Sequence, residues 1–237
     1  MMTVDDSFLR YSRQIFIEEI GVEGQRKLGD TSVLVIGAGG LGSPVIQYLA
    51  AAGIGRLAVV DHDILEVHNL NRQVIHAEKN VGRPKVESAA HFVDTLNSTI
   101  SFTPIHQKVT AENVSEIIEP YDIVVDGSDN FATRYLVNDA CVSQNKILVY
   151  GSIFAQEGQV AVFNRRGGKQ LRDLFPEPPE TTYIPDCDRF GVLGALPGIV
   201  GSIMALQVLQ IITGLQPLHN QLLLIDTQRW KFTKLDF

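Results

Sequence analysis

Cysteine is scarce in this chain: Cys141 and Cys187 are the only two among 237 residues. Two thiols cannot supply a four-cysteine zinc site. Basic charge is also short, with 20 Lys and Arg against 27 Asp and Glu for a net charge of −7. That balance leaves no basic footprint for nucleic acid. Read from composition, no apolar stretch reaches a membrane span, and the polar opening Met1-Met2-Thr3-Val4-Asp5-Asp6 does not have the pattern of a signal peptide. The expected compartment is therefore the reducing cytoplasm, with both thiols free and no membrane partner. Neither G-x-S-x-G nor H-E-x-x-H occurs, so the common hydrolase motifs are missing as well.

What is present centres on residues 32–43. Ser32-Val33-Leu34-Val35-Ile36 is an apolar, β-branched run that stops in Gly37-Ala38-Gly39-Gly40-Leu41-Gly42-Ser43. A strand feeding a glycine turn makes a phosphate cradle: Gly37 permits the turn, Gly39 lets a phosphate approach bare backbone, and Gly42 lets the next helix pack close. The N-terminus of that helix faces the anion. Ser43 is the expected cap and Pro44 suits the first helical turn, with Val45, Ile46, Leu49 and Ala50 as the buried stripe up to Gly53. A second buried strand, Leu57-Ala58-Val59-Val60, ends in Asp61, placed where an acidic side chain takes ribose hydroxyls. NAD and ATP sites share this opening.

Further along, the irregular stretch from Asp63 to Asn80 carries Asn69, Asn71, Arg72 and Gln73, fork-shaped donors suited to phosphates. The next helix starts near Arg83-Pro84-Lys85, so Lys85 lies in its first turn. A cation there opposes the helix dipole at a cost of about 0.3–1 kcal/mol unless an anion sits in front of it. Ile100–His106 reads as a strand, Thr110–Glu119 as a short helix capped by Thr110, and Asp122–Asp126 as a buried strand. Gly127-Ser128-Asp129-Asn130 follows at once, which puts Asp129 at the carboxyl edge where parallel sheets bind ligands. Asn130–Gln144 reads as a helix with Cys141 as packing, then Ile147–Tyr150 and Gln159–Phe163 as strands. Residues 164–189 form a long Pro-rich crossover loop, Leu196–Thr213 an apolar helix closed by Gly214, and Leu222–Ile225 with Trp230–Thr233 a terminal antiparallel pair. This alternation predicts one α/β domain over residues 1–237, with a Rossmann-like, mostly parallel sheet, helices on both faces and a C-terminal antiparallel extension.

Several separated motifs in one order resemble the ThiF/MoeB/HesA adenylyltransferases, bacterial relatives of ubiquitin-activating enzymes. They are Arg10-Tyr11-Ser12-Arg13-Gln14-Ile15, the glycine turn, Asp61, Asn69-Leu70-Asn71-Arg72-Gln73, Gly82-Arg83-Pro84-Lys85, Asp126-Gly127-Ser128-Asp129-Asn130 and Pro185-Asp186-Cys187. The resemblance spans nearly the whole chain. It implies adenylation, with ATP and magnesium, of the C-terminal glycine of a small ubiquitin-like sulfur-carrier protein. By the same resemblance Gly40, Asp61, Asn69, Arg72, Lys85 and Asp129 form the ATP site, joined by Asp63, Gln73 and Asn130 from the same segments. Asp129 holds the magnesium, and Arg13 reaches the ATP of the neighbouring subunit in a homodimer. In related proteins a cysteine at the place of Cys187 engages the activated or thiolated carrier. The sequence departs from the pattern at Lys169–Phe175, where many members carry the first of two zinc-binding CxxC pairs. It therefore looks like a zinc-free branch.

The residue types suit that chemistry. A terminal carboxylate is ionised at pH 7 and needs no general base to attack phosphorus, but charge must be neutralised as pyrophosphate leaves. Arg72 and Lys85 can offset it, and a carboxylate at Asp129 suits a hard cation. The glycine turn and Asp61 alone would also allow a nicotinamide-dependent oxidoreductase. A non-catalytic scaffold that binds a carrier is a second alternative, and activation of a small-molecule or tRNA carboxylate a third.

Overall fold

The computed structural model describes residues 4–178 and 191–237. Its strands are β1 (Ser32–Ile36), β2 (Arg56–Val60), β3 (Ser101–Ile105), β4 (Ile123–Asp126), β5 (Ile147–Phe154), β6 (Glu157–Phe163), β7 (Gln221–Asp226) and β8 (Lys231–Asp236). The helices are α1 (Val4–Ile15), α2 (Gly21–Asp30), α3 (Gly42–Ala52), α4 (Lys85–Leu96), α5 (Val114–Ile118), α6 (Phe131–Ser143), α7 (Leu171–Leu174) and α8 (Ala195–Thr213). All the strands join one sheet in the order β3-β2-β1-β4-β5-β6-β7-β8. From β3 to β5 the pairs are parallel, and from β5 to β8 they are antiparallel. The predicted α/β architecture with its antiparallel extension is the observed one.

Strand alternation divides the core in two. Val33 and Val35 of β1, Leu57 and Val59 of β2, and Val125 of β4 point to one face, where α3, α4 and α8 cover them with Ile46, Leu49, Val93, Val200 and Met204. Leu34, Ile36, Ala58, Val60 and Val124 point to the other, under α5 and α6. Strands buried on both faces need continuous apolar runs, which is how β1, β2 and β4 read. Cys141 lies on the second face, fully buried, and burial pushes its thiol up to about 12. It is a packing residue and inert at neutral pH.

Some expected boundaries shift. Helix α2 has no counterpart in the sequence reading, because only Gly24 and Leu28 along it are buried and the apolar stripe is too thin to register. Leu41 already has helical backbone, so α3 begins at Gly42; Ser43 sits inside it and does not cap, its Oγ buried without a partner. Thr110 does not cap α5 either: its N–H donates to Asn113 Oδ1, and the helix starts four residues later than expected, at Val114. Strand β5 runs on to Phe154, turns at Ala155 (φ 52), and pairs with β6 as a hairpin. The Pro-rich crossover contains the short helix α7, tied to α6 by Arg172 donating to both oxygens of Asp139. Residues 179–190 of that crossover, with Cys187, lie outside the described residues.

Helix α8 corrects one statement about composition: at 19 residues it is long and apolar enough to cross a membrane. Here it packs against α3, α2, β5 and β6 as a core helix. It ends at Gly214, whose backbone is left-handed (φ 86), as the sequence indicates.

Candidate functional site

In the order β3-β2-β1-β4-β5 the chain builds outward from β1 in one direction and then, from β4, in the other. Open parallel sheets bind ligands outside the strand carboxyl ends at such a reversal. The loops that leave β1 and β4 meet there, with Gly127 N–H donating to Ile36 C=O at 2.9 Å. A cavity of about 510 Å³ opens above them, within the roughly 300–1,000 Å³ usual for small-molecule sites. Gly37, Gly39, Gly40, Asp61, Asp63, Arg72, Gln73, Lys85, Asp129 and Asn130 all line it.

Its floor is the glycine turn. Gly37 has φ 91, and a Cβ on Gly42 would lie 1.9 Å from the Gly37 carbonyl oxygen, so α3 can start this close only with glycine there. Gly42 therefore acts from behind the turn and does not line the cavity. The N–H groups of Gly39 and Gly40 have no acceptor in the described residues and are available to an anion. Asp61 directly follows β2 and receives the Ala38 N–H on one carboxylate oxygen and the Asp63 N–H on the other, each at 2.8 Å. A carboxylate has about four lone-pair sites, so about two remain for ligand hydroxyls.

The cationic wall comes from separate elements. Lys85 is the first residue of α4, and its Nζ lies 2.7 Å from Asp63 Oδ2, with side-chain exposures of 7% and 50%. That ion pair offsets the unfavourable helix dipole at the Lys85 position. Burial works to raise the Asp63 carboxyl, but the hydrogen bond and charge of Lys85, helped by His62, outweigh it and hold the group below the usual carboxylate range. Arg72 spends one Nη on His68 C=O and Asn71 Oδ1, at 3.0 and 3.1 Å, and keeps its other donors open. Gln73 brings its Nε2 beside Gly39, and its Oε1 is buried without a partner.

Asp129 lies across the cavity from these groups and is exposed, its carboxylate accepting a 3.3 Å hydrogen bond from Asn130 Nδ2. Asn130, not Asp129, caps α6, with its Oδ1 accepting from Thr133 N–H at 2.9 Å. Asp129 is thereby free to present its carboxylate. An exposed oxygen donor at the strand edge fits a hard divalent cation.

Besides Gly42, two expected site residues stand apart. Asn69 is buried below the loop, where its Oδ1 accepts from Glu66 N–H and closes a 3₁₀ turn. Arg13 is exposed on α1 and does not line the cavity. The cavity also includes residues absent from the sequence reading. Gln107, Lys108 and Val109 follow β3 on the same edge, a position that the predicted strand already marked. Arg134 closes the far side beside Ser128 of the already noted Asp126–Asn130 motif, held over the Phe131 and Tyr150 rings and bonded to Ser128 C=O and Tyr150 OH. Its packing is tertiary and leaves no local signal.

In comparison with known proteins, the ThiF family profile matches residues 11–236. The chain belongs to the ThiF family. This ThiF-family chain is 47% identical over 232 residues to the adenylyltransferase and sulfurtransferase MOCS3 of Danio rerio, covering 98% of the chain and 50% of that protein. It is equally 47% identical over 232 residues to a sulfur carrier protein adenylyltransferase of Thermus thermophilus, covering 95% of the chain and 86% of that protein. The chain thus spans about half the length of the MOCS3 relatives it matches. Among solved structures, E. coli MccB crystallised with ATP superposes with a TM-score of 0.85 at 23% identity, over 96% of this ThiF-family chain and 71% of that one. That likeness is one of fold.

Proposed function

We propose that this ThiF-family domain adenylates the C-terminal glycine carboxylate of a small ubiquitin-like sulfur-carrier protein, with ATP as the second substrate. One observation carries the reading: free N–H groups of the glycine turn, two cations from separate segments and an exposed carboxylate converge on one cavity. Hydride transfer calls for no such collection of phosphate-facing charge. The names of the MOCS3 and Thermus thermophilus relatives support the same choice.

In this reading Asp61 takes the ribose, while Gly39, Gly40, Arg72 and Lys85 face the phosphates. The carrier carboxylate forms a bond to the α-phosphorus, the bond to the bridging oxygen breaks, and pyrophosphate leaves with its electron pair. Arg72 and Lys85 offset the charge that moves onto it, so catalysis is positioning and electrostatics. Magnesium held at Asp129 would supply further charge neutralisation on the phosphates. The test is carrier-dependent ATP–pyrophosphate exchange. Exchange should require magnesium and a carrier with a free C-terminal glycine, and fall by about two orders of magnitude or more in Asp129→Ala. Exchange without any carrier, or unchanged in that variant, would remove the protein substrate or the Asp129 role respectively.

We also infer a homodimer in which Arg13 serves the partner's nucleotide, a reading supported by its exposed place on α1 away from its own cavity. Mixing inactive Arg13→Ala with inactive Lys85→Ala should then recover part of the exchange activity, because a hybrid dimer keeps one complete site. No recovery, with subunit exchange verified independently, would place Arg13 in its own subunit's site or outside catalysis, and overturn the role across the interface.

A further inference from the structure

A buried polar chain runs beneath the glycine turn and reaches the helix that carries Lys85. His76 is 8% exposed; its Nε2 lies 2.9 Å from the Ala38 carbonyl oxygen and its Nδ1 2.9 Å from Ser88 Oγ on α4. A carbonyl only accepts, so Nε2 carries the proton and Nδ1 accepts from the Ser88 hydroxyl. Asn80 Nδ2 donates to the same Oγ at 3.1 Å, which leaves the hydroxyl proton for the imidazole. Burial lowers the His76 pKa and keeps the ring in this neutral form.

The Ala38 carbonyl and the Gly39 N–H belong to one planar trans peptide and point in opposite directions. Fixing the carbonyl toward His76 on the buried side therefore aims the Gly39 N–H at the cavity. Asp61 holds the preceding N–H, that of Ala38, at 2.8 Å, so the turn is gripped on both sides of one residue. Ser88 lies three residues after Lys85 on α4, which links the cation and the turn through a single helix.

We propose that His76 is a positioning residue for phosphate binding, with Ser88 and Asn80 setting its tautomer. The inference rests on the ATP reading above, and the experiment separates the two. Calorimetry would compare a non-hydrolysable ATP analogue with adenosine, which lacks the phosphates, on the wild type and on His76→Phe, His76→Gln and Ser88→Ala. His76→Phe should bind the analogue about 10-fold or more weakly, the loss of one buried hydrogen bond, with adenosine affinity unchanged. His76→Gln, whose amide can still donate to the Ala38 carbonyl, should recover most of that loss, and Ser88→Ala should fall between. Equal loss of both ligands in the variants would make His76 a general structural residue and overturn the proposal. Wild-type affinity for the analogue in His76→Phe, or in Ser88→Ala should His76→Phe not fold, would overturn it too. A wild type that binds neither ligand would instead sink the ATP reading, and the proposal with it.

Discussion

Replacing Lys85 with Met is expected to lower carrier-dependent ATP–pyrophosphate exchange by about 10²–10³-fold while leaving the fold nearly as stable as the wild type. Lys85 is the most enclosed cation facing the cavity, and its ammonium lies 2.7 Å from Asp63 Oδ2. Met keeps most of the side-chain length and volume, so α4 stays packed and what is removed is the charge. Asp63, left without its partner, is half exposed and can be solvated, which keeps the stability cost small. Without Lys85 the Asp63 carboxyl should also return toward the ordinary carboxylate range. The folded pKa is depressed, so the pair contributes stability above the unfolded pKa and loses it as pH falls through the folded one. Lys85→Met should therefore lose less stability on acidification than the wild type. Wild-type exchange rates in Lys85→Met and in Arg72→Ala together would place the phosphates at another site.

The second large effect is expected at Gly42. An added Cβ would stand 1.9 Å from the Gly37 carbonyl oxygen, and that oxygen is backbone with no rotamer to yield. Gly42→Ala should cost roughly 3 kcal/mol or more and displace the turn that presents Gly39 and Gly40. Gly55→Ala is the matched control, because its Cβ would meet the Gly29 carbonyl oxygen at 1.7 Å, where α2 packs on the start of β2, away from the cavity. Denaturant unfolding should report a comparable loss for both variants. Nucleotide binding by the folded fraction should drop sharply in Gly42→Ala and stay near wild type in Gly55→Ala. Equal nucleotide affinity in the two would mean that the turn does not contact phosphate.

Much of the architecture was legible because it rests on local pattern. β1, β2 and β4 read as continuous apolar runs since they are buried on both faces, and the glycines after β1 marked a turn into a helix. The placement of Asp61, Lys85 and Asp129 at strand or helix ends followed from those elements, and the structure lines one cavity with all three. What stayed hidden depends on contacts between distant segments. α2 buries too little to show a stripe, Ser43 fails to cap because the turn winds into α3 two residues earlier than such a cap requires, and Asn69 spends its carboxamide inside its own loop. The sequence by itself determined which segments form strands and helices, and which polar residues stand at their ends, because hydrophobic periodicity and turn chemistry act over a few residues. Only the tertiary structure decided that Lys85 is held by Asp63, that His76 braces Ala38, and that Gln107 to Val109 and Arg134 complete the cavity, because these hydrogen bonds and packing contacts join residues that only the order of strands in the sheet brings together.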